Sequence, residues 1–198
     1  EFQAFKIYLD SQKIYEKDQG LLEFLHLLSK ISNNHPRSHN LIAKIEQILL
    51  SIKEDIKRNL TNFQIYNIFK NNKLIFLFLL EEQIAIFDEN VIFSIRSYSK
   101  NGYPDYFLPE IFSTFLKDNT MKFSEEFQKN RKEGENHNFI CQLIRNDSIK
   151  EFVRFVTQNS IKLESHIPYS IFETNDFLID KNPTLIEYAS FFGSIQIF

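Results

Sequence analysis

The stretch NPTLIEYASFFGSIQIF, residues 182–198, holds the features on which the reading of the whole chain turns. Thr184 and Glu187 have the three-residue spacing of a capping box, in which a hydroxyl and a carboxylate each accept a backbone N–H at a helix start. Ala189 and Ser190 keep the helix surface small where a second helix must approach. Gly193 supplies the left-handed conformation that ends a helix, and Asn182 tolerates the same conformation ahead of it. Beyond Gly193, Ile195, Ile197 and Phe198 open a second apolar helix. The pattern is a helix-turn-helix unit whose second helix is expected to start at Phe198 and to run on past it, so that the last unit is truncated. Residue 1 is Glu rather than Met, so both ends are expected to be cuts in a longer chain.

The same outline recurs upstream. DSIKEF at 147–152 aligns without a gap to GSIQIF at 193–198, pairing Asp147 with Gly193, Ser148 with Ser194, Ile149 with Ile195 and Phe152 with Phe198, 46 residues apart. NNKLIFLFLLEEQIAI at 71–86 has a similar shape, an Asn-rich turn followed by an apolar helix and a short Ile-containing exit. A helix-turn-helix unit that cannot bury its own apolar face is the mark of a stacked solenoid.

Helical periodicity extends over the remaining chain. Leu21, Leu22, Leu25, Leu28 and Ile31 share one side of 21–31, and Leu41, Ile45, Ile48, Leu49, Ile52 and Ile56 share one side of a single helix over 40–60. Thr61 and Gln64 form a second capping-box pair before FQIYNIF at 63–69, and LIFLFLLEEQI at 74–84 follows the Asn71-Asn72 turn. Gly102, Pro104 and Pro109 break 88–118 into short pieces. The polar run 123–138 predicts an exposed helix ending near Gly134, and NFICQLI and EFVRFV predict a helix pair around Asn146-Asp147. No sustained period-two alternation occurs. The fold class expected is all-α, built as stacked helix-turn-helix pairs in an irregular ankyrin-like solenoid. Residues 1–137 form a divergent helical N-terminal domain, and residues 138–198 form the ankyrin-like pairs.

Against the ankyrin pattern T-P-L-H-x-A-A-x-x-G-x-x-x-I-V, residues 184–198 match at Thr184, Ile186, Ala189, Ser190, Gly193 and Ile197. They depart at Leu185, where Pro is usual, and at Glu187, where His is usual. Together with FLHLLSKISNNHPR and LIRNDSIKEF, this motif makes the chain resemble the N-terminal parts of large protist families of ankyrin-repeat proteins. In those families a divergent helical region leads into an ankyrin array. The resemblance implies a protein-binding scaffold with no catalytic residues and no cofactor. It also predicts that Phe152, Phe155 and Val156 pack around Ile186 and Ala189.

Composition sets the outer bounds. Hydrophobic residues are 43% and charged residues 25% of 198, which is ordinary for a globular protein. A net charge of -3 offers no basic face for nucleic acid or an anionic membrane. The longest apolar run, residues 74–80, is far short of the roughly 20 residues of a spanning helix. One cysteine, Cys141, suits a reducing, intracellular and cytoplasmic setting. Four Ala beside 22 Phe reflect a bias toward AT-rich codons, under which repeat motifs usually written with Ala and Gly survive as Ile, Phe, Ser or Asn.

Chemistry at specific residues is weighed against simpler roles. His35 and His39 have metal-ligand spacing, but Pro36 interrupts a helix between them and no third ligand follows. His137 and Cys141 could form a nucleophile pair on an irregular helical bundle, the alternative, hydrolase-like reading; a buried structural thiol is the simpler one. Asn59 and Asn146 begin glycosylation-like triplets that read as helix caps. Lys129, Arg131 and Lys132 sit among acidic neighbours as a solvated face. Aromatic residues recur at helical spacing, as core does, rather than as a nucleic-acid platform. No catalytic, metal or cofactor residue is therefore assigned. The insertion at 161–182 makes the repeat spacing about 13 residues longer than the usual period. Long loops on repeat proteins carry binding function, which places a protein-partner contact near Tyr169, Phe172, Glu173 and Asp176 of a monomeric module; the equal alternative is that the Ile and Phe residues of this segment only cover a helix end. A purely structural cap is the third reading. Residues 183–198 are expected to fray, and 21–84 to stay protected.

Overall fold

A computed structural model describes Ile7 and residues 18–35, 38–97, 102–116 and 122–198. The described residues are all-helical, with no β-strand and one isolated antiparallel bridge between His166 and Thr184. In chain order the helices are α1 (Asp18–Asn34), α2 (His39–Ser51), α3 (Lys53–Asn59), α4 (Asn62–Phe69), α5 (Lys73–Glu81), α6 (Glu89–Ser97), α7 (Tyr103–Tyr106) and α8 (Leu108–Ile111). A π-helical turn, Phe112–Leu116, continues α8, and then come α9 (Glu125–Glu133), α10 (Phe139–Arg145), α11 (Ile149–Gln158), α12 (Asp176–Lys181) and α13 (Leu185–Phe192). The chain divides into two compact units, one formed by Glu1–Ser99 with Phe107–Lys122 and the other by Lys100–Tyr106 with Phe123–Phe198. The boundary expected after residue 137 falls earlier, because α9 is held inside the second unit: the Tyr106 hydroxyl donates to the Arg131 carbonyl at 2.8 Å.

In the first unit the apolar periodicity becomes the core. Leu21, Leu25 and Leu28 of α1 are buried with Ile45, Ile48 and Leu49 of α2. The single helix expected over 40–60 is two, separated at Ile52 (φ -109°, ψ 16°). Ser51 Oγ donates to the Ile48 carbonyl at 2.8 Å, a side-chain competition that bends helices, while the break leaves Ile52 and Ile56 both buried. The capping box forms at α4 as its sequence dictates, with Thr61 and Gln64 each accepting the other's backbone N–H. Asn72 is buried at the turn before α5, where its side chain accepts from Ile75 N and donates to Ser32 Oγ. Ser29 Oγ in turn donates to the Ile68 carbonyl, so α1 is fastened to the α4–α5 turn by satisfied polar groups as well as by packing. Tyr66 meets Phe76 edge-on, and Phe76 meets Phe107 the same way, which accounts for how Phe fills a core poor in Ala.

The second unit has its own core. Ile140, Cys141, Leu143 and Ile144 of α10, Phe152 of α11, Ile167, Leu178 of α12, and Leu185, Tyr188 and Ala189 of α13 make one buried cluster. Phe155, Val156 and Ile197 pack against it. The expected meeting of Phe152, Phe155 and Val156 with Ala189 therefore holds within one cluster. Ile186 does not take part: it is 38% exposed, and Leu185 is buried instead. The buried set Leu185, Tyr188 and Ala189 follows i, i+3, i+4 spacing, one residue out of register with the ankyrin pattern at its second apolar position. Ser190, expected at a helix approach, is exposed. Residues 183–198, expected to fray, hold Leu185, Tyr188 and Ala189 of α13 buried, while Ile195 (85%) and Phe198 (70%) lie open at the end.

Candidate functional site

The two turns that the repeat alignment pairs adopt the same unusual backbone. Asp147 (φ 50°) and Gly193 (φ 66°) are both left-handed, each after the last turn of its first helix. The turns are also bonded to each other. Ser194 Oγ donates to the Ile144 carbonyl at 2.5 Å, and the Asp147 carboxylate accepts Gln196 N at 3.1 Å and Ile197 N at 3.3 Å. Asp147 thus caps the start of the segment after Gly193 with a charged acceptor. Thr184 and Glu187 form the capping box of α13, and the Thr184 N–H and hydroxyl hold the Glu187 carboxyl below the usual carboxylate range. Asn182 (φ 44°) is left-handed as its type allows.

Between α11 and α13, the segment 161–182 is bonded to residues 134–138. Asn136 Nδ2 donates to the Pro168 carbonyl at 2.7 Å, and Thr174 donates to the Gly134 carbonyl from its N–H (3.1 Å) and its hydroxyl (2.7 Å). His137 Nδ1 pairs with Ser170 Oγ at 2.9 Å. The four residues expected to touch a partner are distributed unevenly on this segment. Tyr169 is 62% exposed, and its hydroxyl rests over Gly102 at a distance that a Cβ there would reduce to 1.9 Å. Asp176 begins α12 and is half-buried. Phe172 and Glu173 are buried, so neither lies on the surface where the sequence reading put it. Phe172 meets Phe127 and His137 edge-on, since a large apolar ring gains more from this cover than from water.

Glu173 is the group that sequence reasoning misjudged most. Its Oε1 accepts Thr174 N at 3.1 Å and Asn175 N at 3.0 Å, and burial pushes its carboxyl up to about 7. Asn175 then caps α12, so ETND at 173–176 is a turn that feeds a helix start. That succession of acceptors was the available signal. Nearby, Arg145 Nε pairs with Glu135 at 2.8 Å, and its Nη1 donates to the Asn136 carbonyl at 2.7 Å and the Tyr188 hydroxyl at 3.0 Å. Burial, then the charge of Glu173, holds the Tyr188 hydroxyl protonated above the usual phenol range.

The remaining candidates resolve one by one. Burial pushes the Cys141 thiol up to about 12, so it stays a thiol at neutral pH and is a poor nucleophile, while the His137 ring is paired with Ser170. Pro36 and the His39 side chain lie outside the described residues, and no group of three His, Cys, Asp or Glu gathers for a metal among those described. Arg131 is not part of a solvated face: it is buried, with Nη1 donating to the Tyr106 carbonyl and the guanidinium 5.8 Å from the Tyr106 ring centre. Lys129 keeps its surface position, paired with Glu133. Among the described residues no helix is long and apolar enough to cross a membrane. No protein-family model, curated protein or solved structure matches the chain.

Proposed function

We propose that the chain is a protein–protein interaction scaffold of the ankyrin-repeat type, resembling the N-terminal parts of protist ankyrin-repeat proteins and without catalytic activity of its own. The observation that carries the reading is the pair of left-handed turns at Asp147 and Gly193, joined through Ser194, Ile144 and the Asp147 carboxylate. Successive helix pairs of a solenoid are expected to meet in this way, turn against turn and first helix against first helix. The contact of α10 with α13 fits that geometry.

The partner is a protein, and the contact lies on the segment 161–182 at Tyr169, Asp176 and the neighbouring exposed Phe177. Large aromatic groups held on an anchored loop lose little side-chain entropy on binding, which is why such residues dominate interfaces. The module acts as a monomer in the cytoplasm, a setting suited to its one buried, reduced Cys141.

The test is cross-linking capture with the full chain, followed by mass spectrometry, comparing the native sequence with Y169A/F177A and with F93A. Phe93 is exposed on the first unit and serves as the control. A protein captured by the native chain and F93A but lost with Y169A/F177A is the expected result. Equal capture by all three would reject this contact site.

A further inference from the structure

We propose that Arg145 is a latch that couples the seating of segment 168–174 on residues 134–138 to the order of α13, so that loosening either one loosens the other. The coupling itself does not rest on the scaffold reading; only the signal it would carry does. Arg145 ends α10, and its side chain is only 12% exposed. Its Nε pairs with Glu135 at 2.8 Å, and Nη1 donates to the Asn136 carbonyl at 2.7 Å and to the Tyr188 hydroxyl at 3.0 Å. The guanidinium also lies 5.9 Å from the Phe192 ring centre. One planar group with fixed donor directions therefore holds Glu135 and Asn136 together with Tyr188 and Phe192 of α13.

Asn136 carries the connection from the guanidinium to the segment. It is buried, its carbonyl accepts from Arg145, and its Nδ2 donates to the Pro168 carbonyl at 2.7 Å. Its Oδ1 accepts Asn138 N at 3.1 Å, and Asn138 Nδ2 donates to the Tyr169 carbonyl at 3.3 Å. His137 pairs with Ser170 Oγ, and Thr174 donates to the Gly134 carbonyl. Polar fastenings of this kind open locally at lower cost than an apolar core. When the segment lifts, Asn136 loses Pro168, and the turn that Arg145 grips is free to move. When α13 shifts, Tyr188 lets go of the guanidinium, and the Asn136 carbonyl loses its aligned donor. By linkage, a protein partner that holds the segment seated at Tyr169 would steady α13, and a steadied α13 would favour that partner.

Amide exchange on the full chain, followed by NMR, tests the latch with Y188F, which keeps the buried ring and removes one bond to Arg145. Two amides are read: Thr174, bonded to Gly134, and Phe152 of α11, which reports opening of the second unit as a whole. Y188F should quicken exchange at Thr174 about tenfold, the low end for a hydrogen bond to a charged group, and change Phe152 by less than about twofold. In R145M the latch is already gone, so adding Y188F should change Thr174 no further. No partner enters these readouts, so their failure leaves the Tyr169 contact to its own capture test. Three results would overturn the proposal. The first is no change at Thr174, and the second is equal quickening at Thr174 and Phe152, which is a general loss of stability. The third is a Y188F effect undiminished in R145M, which would assign the coupling to the Ile167–Pro183 bond or the Phe177–Phe191 stack. Should R145M not fold, R145K keeps the charge without the fork; there the added effect of Y188F should fall to about twofold, and an undiminished effect would again overturn the latch.

Discussion

Asp147 offers the sharpest separation of backbone from side chain at the junction of the turns that follow α10 and α13. Its carboxylate accepts Gln196 N and Ile197 N at 3.1 and 3.3 Å, while its backbone is left-handed at φ 50°. D147G removes the acceptor and leaves the turn at ease, so it loses the capping bonds alone, about 1 kcal/mol. D147A loses the same bonds and adds the cost of a Cβ in the left-handed region, about 1 kcal/mol more, for a total of about 2 kcal/mol. D147N keeps an acceptor oxygen and a residue type that tolerates the turn, and gives up only the charge, about half the bond strength or about 0.5 kcal/mol. Amide exchange at Gln196 and Ile197 reads this directly, and urea unfolding followed by circular dichroism gives the total. Exchange should quicken about fivefold in D147G and about thirtyfold in D147A, with little change in D147N. If D147G and the native chain exchange alike at these two amides, the bond between the turns contributes nothing. The reasoning would then fail at its first step.

Three further outcomes follow from single residues. G102A must place a Cβ 1.9 Å from the Tyr169 hydroxyl at φ +64°, so thermal unfolding should show a loss of about 2 kcal/mol or more, partly restored by adding Y169A. Cys141, a buried thiol pushed up to about 12, should resist iodoacetamide at pH 8 in the folded chain and react readily in urea, as mass spectrometry would show. Glu173 has its carboxyl raised from 4.5 to about 7, so its contribution is fully present below pH 4.5 and lost as the pH rises through about 7. Stability of the second unit should accordingly fall between pH 5 and pH 8 by an amount on the order of 3 kcal/mol at most, and E173Q should flatten that slope in urea titrations.

Helix signals with a local cause were legible in the sequence. Both capping boxes, the Asn72 turn, the left-handed Asn182 and Gly193, and the pair around Asn146-Asp147 all form as read, because each is decided within four residues. Features decided by distant neighbours were not legible. The break at Ile52 depends on a serine hydroxyl reaching back one turn while two isoleucines both seek the core. The exchange of Leu185 for Ile186 as the buried residue reflects packing against α10, which periodicity alone does not fix to one residue. Arg131 and Glu173 look like surface charges in sequence. Arg131 meets Tyr106, 25 residues away, while Glu173 is buried with its carboxyl held by the N–H groups of its own turn at 173–176. The candidate partner site suffered most, since two of its four residues turned out to anchor the loop rather than line it.

The most direct test of the stacked-pair account is to fuse one consensus ankyrin helix pair after Phe198 and measure amide protection at Tyr188 and Ala189. If the last unit is one member of a stack, the added pair covers Ile195 and Phe198, now 85% and 70% exposed. Burying two large apolar side chains is worth roughly 3 kcal/mol at the low end, enough to raise protection at both amides about a hundredfold. An added pair that folds and unfolds on its own, with protection at Tyr188 and Ala189 unchanged, would contradict the account.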